Sequence, residues 1–161
     1  MDAIQLLTLQ HRALEERMKT TLEAPVEQRS TCLAQVGDHL SVHLASEEEV
    51  FYPAVHARRT EDILLESLEE HLSLKRLLAD LMALAPDDAT WEAKFKVLEE
   101  QSEHHHKEEE EHLFPKVLTL IDLAEREALG QEMVALQERL QREGKPREAM
   151  AEQTDKAAPL P

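Results

Sequence analysis

The sequence predicts an all-α chain folded as an up-down-up-down four-helix bundle, with a short C-terminal fifth helix and a flexible tail. Three observations carry that prediction. Only 3 of 161 residues are glycine, and strong helix formers dominate. Apolar residues recur at helical spacing over long stretches. The third is an internal repeat. A step of 60 residues takes Ile4 to Leu64, His11 to His71, Leu14 to Leu74 and Met18 to Leu78; a step of 62 takes His43 to His105, Glu47 to Glu109, Phe51 to Leu113, Tyr52 to Phe114 and Pro53 to Pro115. A helix pair that occurs twice with short connections closes most simply into a bundle with approximate twofold symmetry.

The elements follow in order. Helix A runs from Asp2, an N-cap, to Pro25 on Ile4, Leu7, Leu14, Met18 and Leu22. Helix B covers about 26–55 through Leu33, Val36, Leu40, Leu44, Val50 and Phe51, with Pro53 near its end. Thr60, Glu61 and Asp62 supply a hydroxyl cap and early acids for helix C, which continues to about residue 85. Pro86, Asp87 and Asp88 turn the chain into helix D, about 90–120. An amphipathic fifth helix covers 122–142. One domain thus occupies 1–143, with its core in 1–120, while 144–161 hold three prolines and no apolar period and read as a flexible tail.

Charge and composition narrow the function. Eighteen basic against 34 acidic residues give a formal charge of -16, which repels phosphate backbones and anionic membranes, so neither nucleic acid nor a membrane is expected as partner. No stretch is apolar for long enough to span a bilayer, and the N-terminus has no signal-peptide pattern, so a cytoplasmic protein is expected. With Cys32 the single cysteine, any metal must be held by histidine and carboxylate.

A histidine with an acid four residues on could grip a metal ion, because the two lie on one helix face. Composition alone would give about two of the nine histidines such an acid, and five have one: His11, His43, His104, His105 and His106. The repeat chooses among them. Only His43/Glu47 and His105/Glu109 match between the halves. Depth agrees: His11 and His43 lie roughly 20 and 25 Å from the A/B turn, and His71 and His105 flank the C/D turn in nearly the same way. The four histidines stand in phase with core leucines, where a layer of unliganded polar groups would be costly. Nitrogen and oxygen ligands suit iron, manganese or zinc.

The order His11, then His43 to Glu47 leading to Phe51-Tyr52-Pro53, then Glu69 to His71, then His105 to Glu109 leading to Leu113-Phe114-Pro115 resembles the hemerythrin domain, also called the HHE cation-binding domain, over roughly 1–120. The resemblance implies metal ligands His11, His43, Glu47, His71, His105 and Glu109 around two iron ions, oxo- or hydroxo-bridged. Oxygen-carrying hemerythrins have a fifth histidine one turn after that of the third helix, where this chain has Lys75. The departure aligns the chain with four-histidine relatives proposed to repair iron centres, handle nitric oxide or peroxide, or sense iron. By the repeat Lys75 matches Glu15, and the two are expected to pair across the bundle beside the metals.

Other residues receive plainer readings. His39 and His112 are candidates either to support ligands from behind or simply to pack, His112 because it stands three residues after Glu109 on the ligand face. His104 and His106, about 100° either side of His105, are expected on flanks or in solvent. The acidic runs beginning at Glu47 and Glu108 are each expected to turn one member inward, which makes Glu110 outward-facing. Phe51, Tyr52, Phe114, Trp91 and Phe95 read as core packing, Cys32 as a small buried side chain, and His56 as lying near a helix end. The leading functional reading is a di-iron protein that binds or reduces oxygen, peroxide or nitric oxide; the other is an iron-binding or sensing module, or a metal-stabilised interaction module, without turnover.

Overall fold

A computed structural model describes residues 1–161. Helix α1 (Ala3–Glu23) starts at a reciprocal cap, in which the Asp2 carboxylate accepts from Gln5 N and the Gln5 side chain accepts from Asp2 N. Helix α2 (Arg29–Ser46) passes through a π-helical turn, Glu47–Phe51, into Tyr52–Val55. Helix α3 is Glu61–Ala83. Helix α4 (Trp91–Glu108) passes through a second π turn, Glu109–Leu113, into Phe114–Leu120. Pro53 and Pro115 stand two residues after the last residue of each turn. A proline ring crowds the carbonyl four residues back and offers no N–H, and a widened turn accommodates both defects. Thr60 does not cap α3; its hydroxyl instead accepts from Ala57 N and donates back to Val55 O, tying the α2–α3 loop.

Helices α1 and α3 lie diagonally opposed, each packed against α2 and α4. The fifth helix, α5 (Leu123–Glu143), is not short: at 21 residues it matches α1 and lies across α1 and α2. Gly130 allows this approach, since a Cβ there would stand 2.5 Å from Met1 O. Gly144 and Lys145, both at positive φ, turn the chain into α6 (Pro146–Ala151), which packs on α2 and α3. The segment read as a tail therefore contains a sixth helix. Beyond it the chain lies along the bundle: Arg76 donates to Thr154 O and Asp155 O, Lys75 to Gln153 Oε1, and His56 meets Pro161 O. Backbone carbonyls make most of these contacts, so no side-chain period announces them.

Two apolar clusters, of 14 and 13 buried residues, fill the bundle above and below a polar layer. His11 separates Leu7 in one cluster from Leu14 in the other, and His71 separates Leu68 from Leu74. Trp91 and Phe95 stack in the second cluster, as expected of core residues, while Cys32 is only half-buried. No helix is long and apolar enough to cross a membrane.

Candidate metal centre

The polar layer brings His11, His43, Glu47, His71, His105 and Glu109 together, each at 0% exposure. They form two overlapping groups whose ligand atoms lie within 4.8 Å of one another: His11, His43, Glu47 and Glu109, and Glu47, His71 and His105. His43 Nε2 stands 2.5 Å from Glu47 Oε1 and His11 Nε2 3.2 Å from Glu109 Oε1, yet none of these four atoms has a partner in hydrogen-bond geometry. Buried polar atoms are rarely left so. On the other side His71 Nε2 is 3.0 Å from His105 Nε2 and 3.7 Å from Glu47 Oε2.

The rear faces of the imidazoles obey the repeat. His43 Nδ1 meets Gln10 Oε1 at 2.8 Å and His105 Nδ1 meets Glu70 Oε1 at 3.0 Å; residues 10 and 70 are repeat partners, each just before a layer histidine. His71 Nδ1 meets Glu48 Oε2 at 2.8 Å and His11 Nδ1 meets Glu110 Oε2 at 2.9 Å; 48 and 110 are also repeat partners. An acceptor behind Nδ1 holds a ring proton there and turns Nε2 inward, the usual support of a metal-bound histidine. Glu110 is thus not outward-facing: it joins His11 Nδ1 to the Arg12 guanidinium. Each acidic run turns two members inward.

The protein's own groups share protons across the layer. Burial and then the charge of Glu47 hold Glu109 well above the usual carboxyl range, whereas at Glu47 burial is outweighed by His43 and by hydrogen bonds from its neighbours, which hold it well below. Burial opposes a charge on His71 as well, but hydrogen bonds to Glu47 and Glu48 raise it to about 9. His11 is lowered to about 2, by burial first and then by His43. Around His71 a cation could take the place of a proton, and around His11 the neutral, unpartnered Nε2 suits a cation directly.

Several residues stand elsewhere than the sequence suggests. Tyr52 is wholly buried with its hydroxyl in the layer, 2.5 Å from Glu47 Oε2, 2.8 Å from Glu109 Oε2 and 3.2 Å from His71 Nε2. The π turn sets it five residues after Glu47 on the inward face, a placement that plain α-helical phase misses. His106 is not on a flank: it is 1% exposed and its ring stacks on His11 at 3.9 Å. Its repeat partner, the buried Leu44, was the available signal, since α4 faces both α1 and α3 and so has a wide inward stripe. His104 is exposed, as expected, and so is His112, contrary to its reading, because the second π turn rotates it off the ligand face. His39 is half-buried one turn before His43, and burial first, then the neighbouring His43, lowers it to about 4.

Glu15 and Lys75 do not meet. The approximate twofold puts them on opposite sides of the layer, because α1 and α3 are diagonal. Lys75, 1% exposed, instead pairs with Glu48 at 2.9 Å, behind His71. Glu15 occupies the matching place beside Glu110, where Arg12 bridges the two acids.

The sequence profile of the Hemerythrin HHE cation binding domain matches residues 2–117, which include the whole layer. No protein of curated function matches the chain in sequence. Among solved structures, a hemerythrin HHE cation binding domain-containing protein from Mycobacterium kansasii is similar with a TM-score of 0.81 and 24% identity, over 94% of this chain and 98% of that one. At that identity the likeness speaks for the fold, and its coverage extends beyond the residues of the profile. The chain belongs to the hemerythrin HHE cation-binding domain family.

Proposed function

We propose that this protein holds two iron ions between His11, His43, Glu47, His71, His105 and Glu109, with both carboxylates spanning the pair, and that it binds or reduces oxygen, peroxide or nitric oxide there. The observation that carries the reading is the set of four buried, unpartnered atoms, His11 Nε2, His43 Nε2, Glu47 Oε1 and Glu109 Oε1, converging within 4.8 Å. Bound iron would supply two adjacent Lewis-acid, redox-active centres. The chain's own residues do the rest. Gln10, Glu48, Glu70 and Glu110 aim the four imidazoles through Nδ1. The Tyr52 hydroxyl is a proton donor held against the Oε2 atoms of both carboxylates. The apolar clusters above and below exclude bulk water. Because every proposed ligand is at 0% exposure, the site suits diatomic molecules and peroxide rather than larger substrates.

The same burial also favours a second reading, an iron-binding or sensing module in which the metal chiefly stabilises the fold. An iron count with an optical spectrum under air tests the first reading. Two irons per chain with the near-ultraviolet absorption of a bridged ferric pair support it; a zinc-filled, colourless protein refutes it. Far-ultraviolet circular dichroism after iron removal separates the two, since a folded apo-protein supports the redox reading and loss of helix supports the sensor.

A further inference from the structure

His106 lies buried in the centre of the bundle, and neither of its ring nitrogens has a hydrogen-bond partner. The four imidazoles of the polar layer differ in this, because each is tied through Nδ1 to an amide or a carboxylate. Packing alone does not ask for an imidazole here, since the repeat partner, Leu44, fills the matching place with an aliphatic side chain at 0% exposure. A buried polar ring without partners is destabilising, and a ligand that enters the layer would satisfy it. The ring is not placed to hold a metal ion together with His11. It stacks on His11 with 8° between planes and 3.9 Å between centroids, so an ion in the plane of the His11 ring lies outside the plane of His106. What the stack provides is height. A ring nitrogen of His106 stands within 4.8 Å of nitrogens of both His11 and His43, one ring thickness above the His11 plane and with its ring edge-on to His43 at 5.4 Å.

Resting on the di-iron reading above, we propose that His106 is a hydrogen-bond donor to the small ligand, holding a diatomic molecule or a small anion that stands on the iron of His11 and His43. A bond from a first-row metal ion to nitrogen or oxygen is about 2 Å long, roughly half the separation of the two stacked rings. A ligand that rises from that ion along the normal to the His11 ring therefore brings its second atom to the level of His106, beside the edge of the ring. A neutral imidazole has one N–H and one bare nitrogen, so His106 has a donor for that outer atom. The arrangement favours ligands whose outer atom accepts a hydrogen bond, which is the azide and peroxide class. In the other half the matching side chain is Leu44, which offers no donor, so the ligand is directed to the iron of His11 and His43. The two buried donors then have separate tasks: the Tyr52 hydroxyl serves the carboxylates on the His71 side, and His106 serves the ligand on the other.

Azide added to the full-length, iron-loaded protein tests the assignment by spectroscopy and without reference to turnover. Its Raman stretch in the wild-type adduct should shift between H2O and D2O, because the bound anion accepts from an exchangeable N–H. His106→Phe, which keeps a ring against His11 and removes both nitrogens, should retain both irons and lose that shift. Its azide affinity should fall roughly 10- to 100-fold, the worth of a hydrogen bond to a charged group. His106→Leu, which copies the residue at the repeat position, gives the same comparison should the phenylalanine variant fail to load iron. His106→Gln restores an N–H and should recover part of the shift and of the affinity. A wild-type adduct without an isotope shift, or an unchanged shift and affinity in the phenylalanine and leucine variants, overturns the assignment and leaves the di-iron reading standing. A shift that survives in those variants and disappears in Tyr52→Phe gives the donor role to Tyr52 and overturns it equally. A wild type that takes up no iron overturns the di-iron reading, and this assignment with it.

Discussion

Replacing Lys75 by Met removes the cation from a buried pair while keeping a side chain of similar length. Lys75 and Glu48 have side-chain exposures of 1% and 9%, so water compensates little when the ammonium is lost. Removing one partner of a buried pair costs about 3–5 kcal/mol when the remaining charge has no other support. Glu48 does have other support, the Nδ1–H of His71 at 2.8 Å, which brings the expected loss to about 2–4 kcal/mol. For a chain of this size that lowers Tm by roughly 5–15 °C. Urea and thermal unfolding of the apo-protein measure it. Glu48→Gln, which keeps an acceptor for His71, should restore part of the loss when combined with Lys75→Met, giving a coupling of about 1–3 kcal/mol in the double-mutant cycle. A Lys75→Met protein within about 0.5 kcal/mol of wild type, or a strictly additive cycle, would mean that the pair does not hold Glu48 behind His71.

Glu109→Ala should cut iron content steeply with little change in circular dichroism, whereas Glu111→Ala, exposed on the same π turn, should leave it unaltered; equal losses would break the ligand assignment. Tyr52→Phe removes the one hydroxyl proton that stands between Glu47 and Glu109 and should destabilise the apo-protein by about 1–3 kcal/mol in urea, and an unchanged midpoint would remove the hydroxyl from the layer. Truncation after Glu152 deletes the acceptors of Lys75 and Arg76 and the contact of Leu160 with the core. It should lower Tm and speed trypsin cleavage at Arg76, and identical cleavage kinetics would show that the segment does not rest there in solution.

The repeat made the bundle and the six-residue layer legible without a structure, because a duplicated helix pair fixes both topology and depth. It held more than the ligands. Gln10 with Glu70 and Glu48 with Glu110 are paired positions next to the histidines and glutamates of the layer, and each pair serves equivalent Nδ1 atoms. They were hidden by the premise that one acid per run points inward, which counts ligands and leaves out what orients them. The Glu15–Lys75 pairing failed for a symmetry reason: residues related by a twofold meet only close to its axis, as Glu47 and Glu109 do, and one turn beyond the histidines of the diagonal helices they lie on opposite sides. His106 needed knowledge of which neighbours α4 faces, and no helical period supplies that.

The π turns account for the remaining differences, and they bear on function. An α-helix continued from Glu109 brings residue 112 onto the ligand face; the extra residue in the widened turn rotates His112 into solvent and buries Leu113 and Phe114 instead. The same widening after Glu47 brings Tyr52 into the layer. Each layer glutamate starts its π turn, and each turn ends just before a residue followed by proline, so Glu47 and Glu109 sit where the helix ladder is already interrupted. The repeat then breaks symmetry at the layer itself: Tyr52 has a hydroxyl where Phe114 has none. A proton donor therefore faces the His71 side of the layer, while the His11 side has the stacked ring of His106 and, 5.9 Å from His11, the apolar ring of Phe114. Two halves with the same pattern of histidine and glutamate thus build two chemically unlike sides of the layer.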